Sequence, residues 1–162
     1  MNDAMPLVWF PITVAVGWLL SRKWPKAARR FARSLSALIA TILVTLVATG
    51  LMRSTGFSAS VHKWSGHGLV IFAWNSVPFG MGVALVRGRQ HPFAGLVQTL
   101  AVSFLLIVTF LASVTGYLGP LRGQVDPMSL HRFRVLHYWV FPGLALGLTL
   151  FWFRSLQTEP ST

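Results

Sequence analysis

With 162 residues, 54% hydrophobic and only 10% charged, the chain falls far short of the about 25% charged residues that a soluble domain carries. It cannot cover itself with a water-facing surface and reads as an integral membrane protein of one compact domain. Its net charge of +11 includes only three acidic residues, Asp3, Asp126 and Glu159. None of them falls in a hydrophobic run, which argues against coupled ion or proton transport, and the lack of cysteine excludes disulfides, thiolate-held clusters and thioether-attached haem.

Five stretches are long enough to cross roughly 30 Å of hydrocarbon as helices. The expected fold is therefore an all-α integral membrane helical bundle of five transmembrane helices, an N-terminal anchor followed by a four-helix core. The first span, 5–20, lacks the basic start and the small-residue cleavage site of a signal peptide, so it is expected to stay as an anchor, started or bent by Pro6 and Pro11. A basic connector, 21–34, holds Arg22, Lys23, Lys26, Arg29, Arg30 and Arg33. Its spacing suits a short helix lying on the membrane surface, and its charge serves as a topology signal or docks lipid or a partner. The second span, 35–52, closes on Thr49-Gly50. The third, 62–86, is expected to be capped by Ser58 or Ser60. The fourth, 92–118, closes on Thr115-Gly116. The fifth, 127–153, starts sharply, because Asp126 suits an N-cap and Pro127 the first helical position.

Basic residues set the orientation. With the N-terminus outside, the inner side holds nine of them, the six of the connector with Arg87, Arg89 and Arg154. The outer side holds five, Arg53, Lys63, Arg122, Arg132 and Arg134. The asymmetry favours an outer N-terminus and a cytoplasmic C-terminus; this charge serves helix orientation and anionic lipid, and no nucleic acid is expected as a partner. His62, His67, His131 and His137 then lie on or near the outer side, and His91 on the inner one.

A weak internal repeat links those histidines. His62-Lys63-Trp64 follows a span ending in Val47-Ala48-Thr49-Gly50, and His137-Tyr138-Trp139 follows one ending in Ser113-Val114-Thr115-Gly116. Imidazole is the usual axial ligand of low-spin haem in membrane cytochromes, and two ligands from different helices clamp the iron from both faces. A macrocycle needs room, and Gly50, Gly66, Gly68 and Gly116 near the histidine level permit close approach. Lys63, Arg132 and Arg134 could pair with propionates. Trp64 and Trp139 could pack on the ring edge, or simply belong to the interfacial aromatic belt. His62 and His67 are five residues apart and point about 140° away from each other on a helix, so both cannot face one haem. The repeat pairs His62 with His137 as metal ligands. His67 is the substitute, because its greater depth matches His137 better, and His131 is expected at the interface. A bare zinc site is disfavoured, because the histidines lack i, i+4 spacing and no carboxylate supports them.

The segment His62-Lys63-Trp64-Ser65-Gly66, with its repeat, resembles the small bacterial membrane cytochromes b, the four-helix superfamily that includes the cytochrome b561-like electron carriers. The resemblance covers roughly residues 34–153 and leaves out the first span. It implies helices that hold one or two haems b, a place in the bacterial inner membrane, and electron exchange with a quinol, another cytochrome or an attached redox subunit. Two-haem members carry a second histidine about four helical turns further along each span. This chain has Asn75-Ser76 and Leu150-Phe151 there, so one haem b is expected, near the outer face. A single haem does not carry electrons across the whole bilayer, and the chain is expected to be an electron-transfer or accessory subunit more than a stand-alone enzyme. The rival reading is a cofactor-free structural or assembly subunit of a larger membrane complex. Binding of another tetrapyrrole, such as chlorophyll, ranks third, and a small transporter last.

Overall fold

The computed structural model describes residues 5–52, 56–117 and 126–157. Among them every regular element is helical and none is a strand. Asp3, Glu159, Arg53 and Arg122 lie outside the described residues.

The first helix, α1, runs Met5–Lys23 and contains Pro11. It stops because Pro25 disfavours the helical conformation at the residue before it; Trp24 sits at φ −137 and ψ 69. Pro25 then opens α2, Pro25–Leu51, in the first turn, where its missing N–H costs nothing. This corrects the expected surface helix over 21–34. Most of the basic connector is continuous with the second span, because Ala28, Ala32, Ser36, Ile39 and Leu43 form one buried stripe at helical spacing. The small alanines let the backbone pack closely, while exposed Lys26 and Arg30 stay on the other faces.

The third helix, α3, runs Gly56–Gln90. It starts before Ser58 and Ser60, so neither serine caps it. His91 alone separates it from α4, Pro92–Tyr117, again one residue ahead of a proline. The final span starts at Asp126, whose carboxylate accepts the Ser129 N–H at 3.0 Å and caps α5, Pro127–Val135, as the sequence implies. The helix then widens into a π turn at Leu136–Val140, where the Phe141 N–H reaches back to Leu136 O, and continues as α6, Phe141–Ser155. Pro142 supplies the reason: it has no N–H for the carbonyl four residues back, and one extra residue in the turn absorbs the mismatch. His137 sits in this π turn.

The hydrogen bonds to Ser129, hydroxyl first and then backbone N–H, hold the Asp126 carboxyl below its ordinary value of 3.8. A depressed carboxylate pKa contributes stability that is fully present above the unfolded value and is lost as pH falls through the folded one. The first turn of α5 is therefore expected to stay capped at neutral pH and to fray only below about pH 4. The Ser129 amide resonance, followed by NMR through an acid titration, checks this; an unchanged resonance down to pH 2 would contradict it.

Among the described residues four helices, α2, α3, α4 and the joined α5–α6, are long and apolar enough to cross a membrane. They form a ring in which α2 packs on α3, α3 on α4, α4 on α6 and α6 back on α2. This leaves α3 and α6 on one diagonal, and α2 and α4 on the other. The α1 helix lies outside the ring, against α3 and α2. It runs beside the later half of α3: the Trp9 indole N–H donates to Asn75 Oδ1 at 2.7 Å, Gly17 lies against the Phe79 backbone, and Gly82 against Val14 and Trp18. A side chain at either glycine would meet backbone, so both are contact points where the helices touch directly.

The interior is filled most tightly at one end. Ile39, Val77, Val102, Leu105, Thr149 and Trp152 are fully or almost fully buried there. The Trp152 indole packs across the α3–α6 diagonal onto Gly80, where a Cβ would collide with it. At the other end the same diagonal is bridged by histidines.

Candidate functional site

His62, from α3, and His137, from the π turn, meet across the bundle with ring centroids 6.1 Å apart and planes at 74°. Each ring is held from behind by the helix that precedes its own. His62 Nδ1 lies 3.0 Å from Leu46 O and 3.3 Å from Thr49 Oγ1 on α2. His137 Nδ1 lies 3.0 Å from Ala112 O and 3.2 Å from Thr115 Oγ1 on α4. The two cradles use the same parts: a threonine hydroxyl and the carbonyl three residues before it.

These contacts determine the tautomer. A carbonyl oxygen can only accept, so Nδ1 must carry the hydrogen in both rings. The threonines agree with this. Thr49 donates its own hydrogen to Thr45 O at 2.7 Å, and Thr115 donates to Leu111 O at 2.9 Å, so each hydroxyl oxygen meets its histidine as an acceptor. A neutral imidazole that donates from Nδ1 carries its lone pair on Nε2. Orientation of this kind, with one ring nitrogen spent on a carbonyl, is the usual support of a metal-binding histidine.

The pair opens on a cavity of about 430 Å³, within the range of roughly 300–1,000 Å³ typical of cofactor and ligand sites. Leu46, Val47, Leu69, Val70 and Phe141 make it mainly apolar; Lys63, His67 and Tyr138 add polar groups. Gly50 lies under His62, where a Cβ would stand 3.3 Å from the ring Cε1. The glycine is what lets the imidazole come this close to α2. Gly116 occupies the matching place in the α4 sequence, and its surroundings lie outside the described residues. Gly66 lines the cavity, whereas nothing stands within 4 Å of a Cβ built on Gly68.

The remaining expected residues divide. His67 lines the cavity, but its Nδ1 turns to Lys63 O on its own helix at 2.7 Å, and it is His62 that faces His137. Trp139 lines the cavity while remaining 66% exposed. Trp64 is 73% exposed, does not line the cavity, and stands 6.0 Å from the His67 ring. Lys63 lines the rim; Arg132, Arg134 and His131 are exposed on α5 and do not. Among the described residues, no group of three or more His, Cys, Asp or Glu side chains gathers to hold a metal ion.

At the positions where a second histidine pair would stand, Asn75 is bonded to Trp9, and Leu150 and Phe151 point outward at 48% and 45% exposure. The space between α3 and α6 at that end belongs to Trp152 and Gly80. The cradle atoms themselves, Leu46 O, Thr49 Oγ1, Ala112 O and Thr115 Oγ1, are site components that the sequence signalled only through the repeated Thr-Gly ending. In comparisons with known proteins no family model, no curated protein and no solved structure matches the chain.

Proposed function

We propose that the chain is a b-type cytochrome-like electron carrier that holds one haem b between His62 and His137. The observation that carries this reading is the clamped pair: two imidazoles from diagonal helices, each with Nδ1 spent on a carbonyl, facing each other across an apolar cavity. The spacing suits a shared metal. An imidazole nitrogen binds a transition metal at about 2.0–2.1 Å and lies roughly 1 Å from its own ring centre, so two rings on one metal stand about 6 Å apart. The observed 6.1 Å agrees. Two protein ligands are too few to retain a bare ion, but they suit iron whose other four positions are filled by a macrocycle.

When bound, the haem supplies a reversible one-electron couple. The residues of the chain do the rest. His62 and His137 would hold the metal, and their Nδ1–H bonds to Leu46 O and Ala112 O would raise their basicity as ligands. The aliphatic wall excludes water and lowers the local dielectric, which tunes the potential. Lys63 at the rim is placed to meet an acidic substituent. Filling of the opposite end by Trp152 supports a single site, so electrons would enter and leave at the histidine end, exchanged with a quinol or an attached redox subunit.

In this reading α1 is a fifth span: its 19 residues measure about 28 Å. The N-terminus is outside, and the chain sits in a bacterial inner membrane, as the excess of basic residues at the other end supports.

The test is the absorbance spectrum of detergent-purified protein from cells well supplied with haem, first oxidised and then reduced with dithionite. Sharp reduced α and β bands at about one haem per chain are expected for bis-histidine, low-spin ligation. A colourless protein would sink the reading and leave a cofactor-free structural subunit.

A further inference from the structure

The opposite end of the bundle contains a second cavity, of about 300 Å³. Measured along α3 from His62 to Arg87, it lies roughly 37 Å from the histidine pair. Its walls carry four arginines, Arg22, Arg29, Arg87 and Arg89, and no carboxylate among the described residues. Some of these side chains have structural work. Arg87 Nη1 donates to Ser155 O at 2.7 Å and to Gln98 Oε1 at 3.1 Å, and neighbouring Arg33 Nη2 donates to Leu156 O at 3.0 Å. Both thereby serve the carbonyls at the end of α6. Arg22 and Arg89 lie over the Trp18 ring, 4.8 and 5.5 Å from its centroid. All of these partners are neutral.

A topology signal needs charge on the right side of the membrane and nothing more. This cavity has more. Two of its wall residues present buried polar groups without a hydrogen-bond partner: Ser21 Oγ, in a residue 5% exposed, and Gln98 Nε2, in a residue 1% exposed. A buried hydroxyl and a buried amide left unmatched are costly, and such groups in a folded protein call for a partner. The cavity therefore combines a strongly positive wall with two unmatched donors in one half-open recess. The complementary group is an anion with several acceptor oxygens, and guanidinium forks match phosphate in shape as well as charge.

We propose that this cavity binds a phosphate group, with Arg22 and Arg29 supplying charge and Ser21 and Gln98 supplying neutral hydrogen bonds. The group belongs either to the headgroup of an anionic phospholipid, which lies at this level beside the ends of the spans, or to a soluble phosphate. This site is separate from the histidine pair and stands or falls independently of the haem.

The experiment uses the full chain in a maltoside detergent, which carries no phosphate. The thermal unfolding midpoint is followed as phosphatidylglycerol or inorganic phosphate is added, with chloride matched for ionic strength. A ligand that binds only the folded state raises the midpoint. A rise with phosphatidylglycerol alone identifies a headgroup, and a rise with inorganic phosphate identifies a soluble source. Ser21→Ala removes only a hydroxyl and should fold; it is expected to weaken binding about fivefold. Arg29→Gln is expected to weaken it about tenfold or more. Arg30→Gln, one residue along and outside the cavity, should leave it unchanged. No rise with either additive, or equal responses in all three variants, overturns the proposal.

Discussion

Leucine at either His62 or His137 is expected to remove the low-spin haem spectrum, while the protein remains helical and inserted. In the proposed site each substitution would delete one of the two residues that hold the haem, and it leaves an apolar residue of similar size facing an apolar cavity, so the fold loses little. Removing a partner that merely orients a ligand costs roughly 10–100-fold in metal affinity, and loss of the ligand itself should exceed that range. Thr49→Val and Thr115→Val keep the carbonyl contacts to Nδ1 and should fall at the low end of it. His67→Leu should retain the bands, because the His67 ring is turned to Lys63 O on its own helix. Absorbance per chain of each purified variant, with circular dichroism to report helicity, makes the comparison. If His67→Leu bleaches the protein and His62→Leu does not, the pairing is wrong.

Gly95→Leu is expected to abolish the stable bundle. A Cβ at this position would sit on the backbone of Gly88, against both its Cα and its N. Backbone cannot turn aside as a side chain can, so α3 and α4 would have to separate near the turn that joins them. Overpacking ordinarily costs about 1–3 kcal/mol, and a backbone collision at a tight helix crossing should reach or exceed the upper value. The loss matters more here because close packing of small residues is a main source of association between helices in lipid. Gly143→Leu is the control: nothing lies within 4 Å of its Cβ position, and a change of within about 0.5 kcal/mol is expected. The fraction of monodisperse protein after detergent extraction, with its unfolding midpoint, measures both. Equal yields for the two variants would show that the Gly88–Gly95 crossing does not hold the helices together.

The basic segment 21–34 shows where pattern reading stops. Its lysines and arginines suggested a helix lying on a surface, because charge is the most visible property of the segment. What places it is Ala28 and Ala32, which are small enough to be buried at 3% and 0% exposure. Arg33 and Arg87 were likewise read as topology signals, and the structure shows them also holding the carbonyl end of α6. Neither role is local. Arg33 and Leu156 are 123 residues apart, and only the closure of α2 onto α6 brings them together.

By itself the sequence determined the helical class of the protein and where its last two spans start, at Pro92 and Pro127, whereas the second and third helices start earlier than their apolar runs, at Pro25 and Gly56. Too little charge to cover a surface leaves lipid as the solvent, and in lipid the backbone must bond within helices or a closed barrel; the lengths of the apolar runs then indicate the helices. Asp126-Pro127 acts within one turn of itself, so its effect is readable from neighbours alone. The repeated Thr-Gly endings pointed to the pairing of His62 with His137, because two copies of one local arrangement place their histidines alike, but depth along the helix left His67 as a substitute. Only the tertiary structure decided that His62 and not His67 meets His137, that Nδ1 is the nitrogen spent on a carbonyl, that Trp152 fills the other end, and that four arginines line a cavity. Those facts depend on the rotation and depth of each helix against its neighbours. Apolar residues cover nearly every face of these helices, so no polar side marks the outward direction. Rotation and depth are then set by where glycines and alanines let backbones touch, a property of pairs of helices and not of any one stretch of sequence.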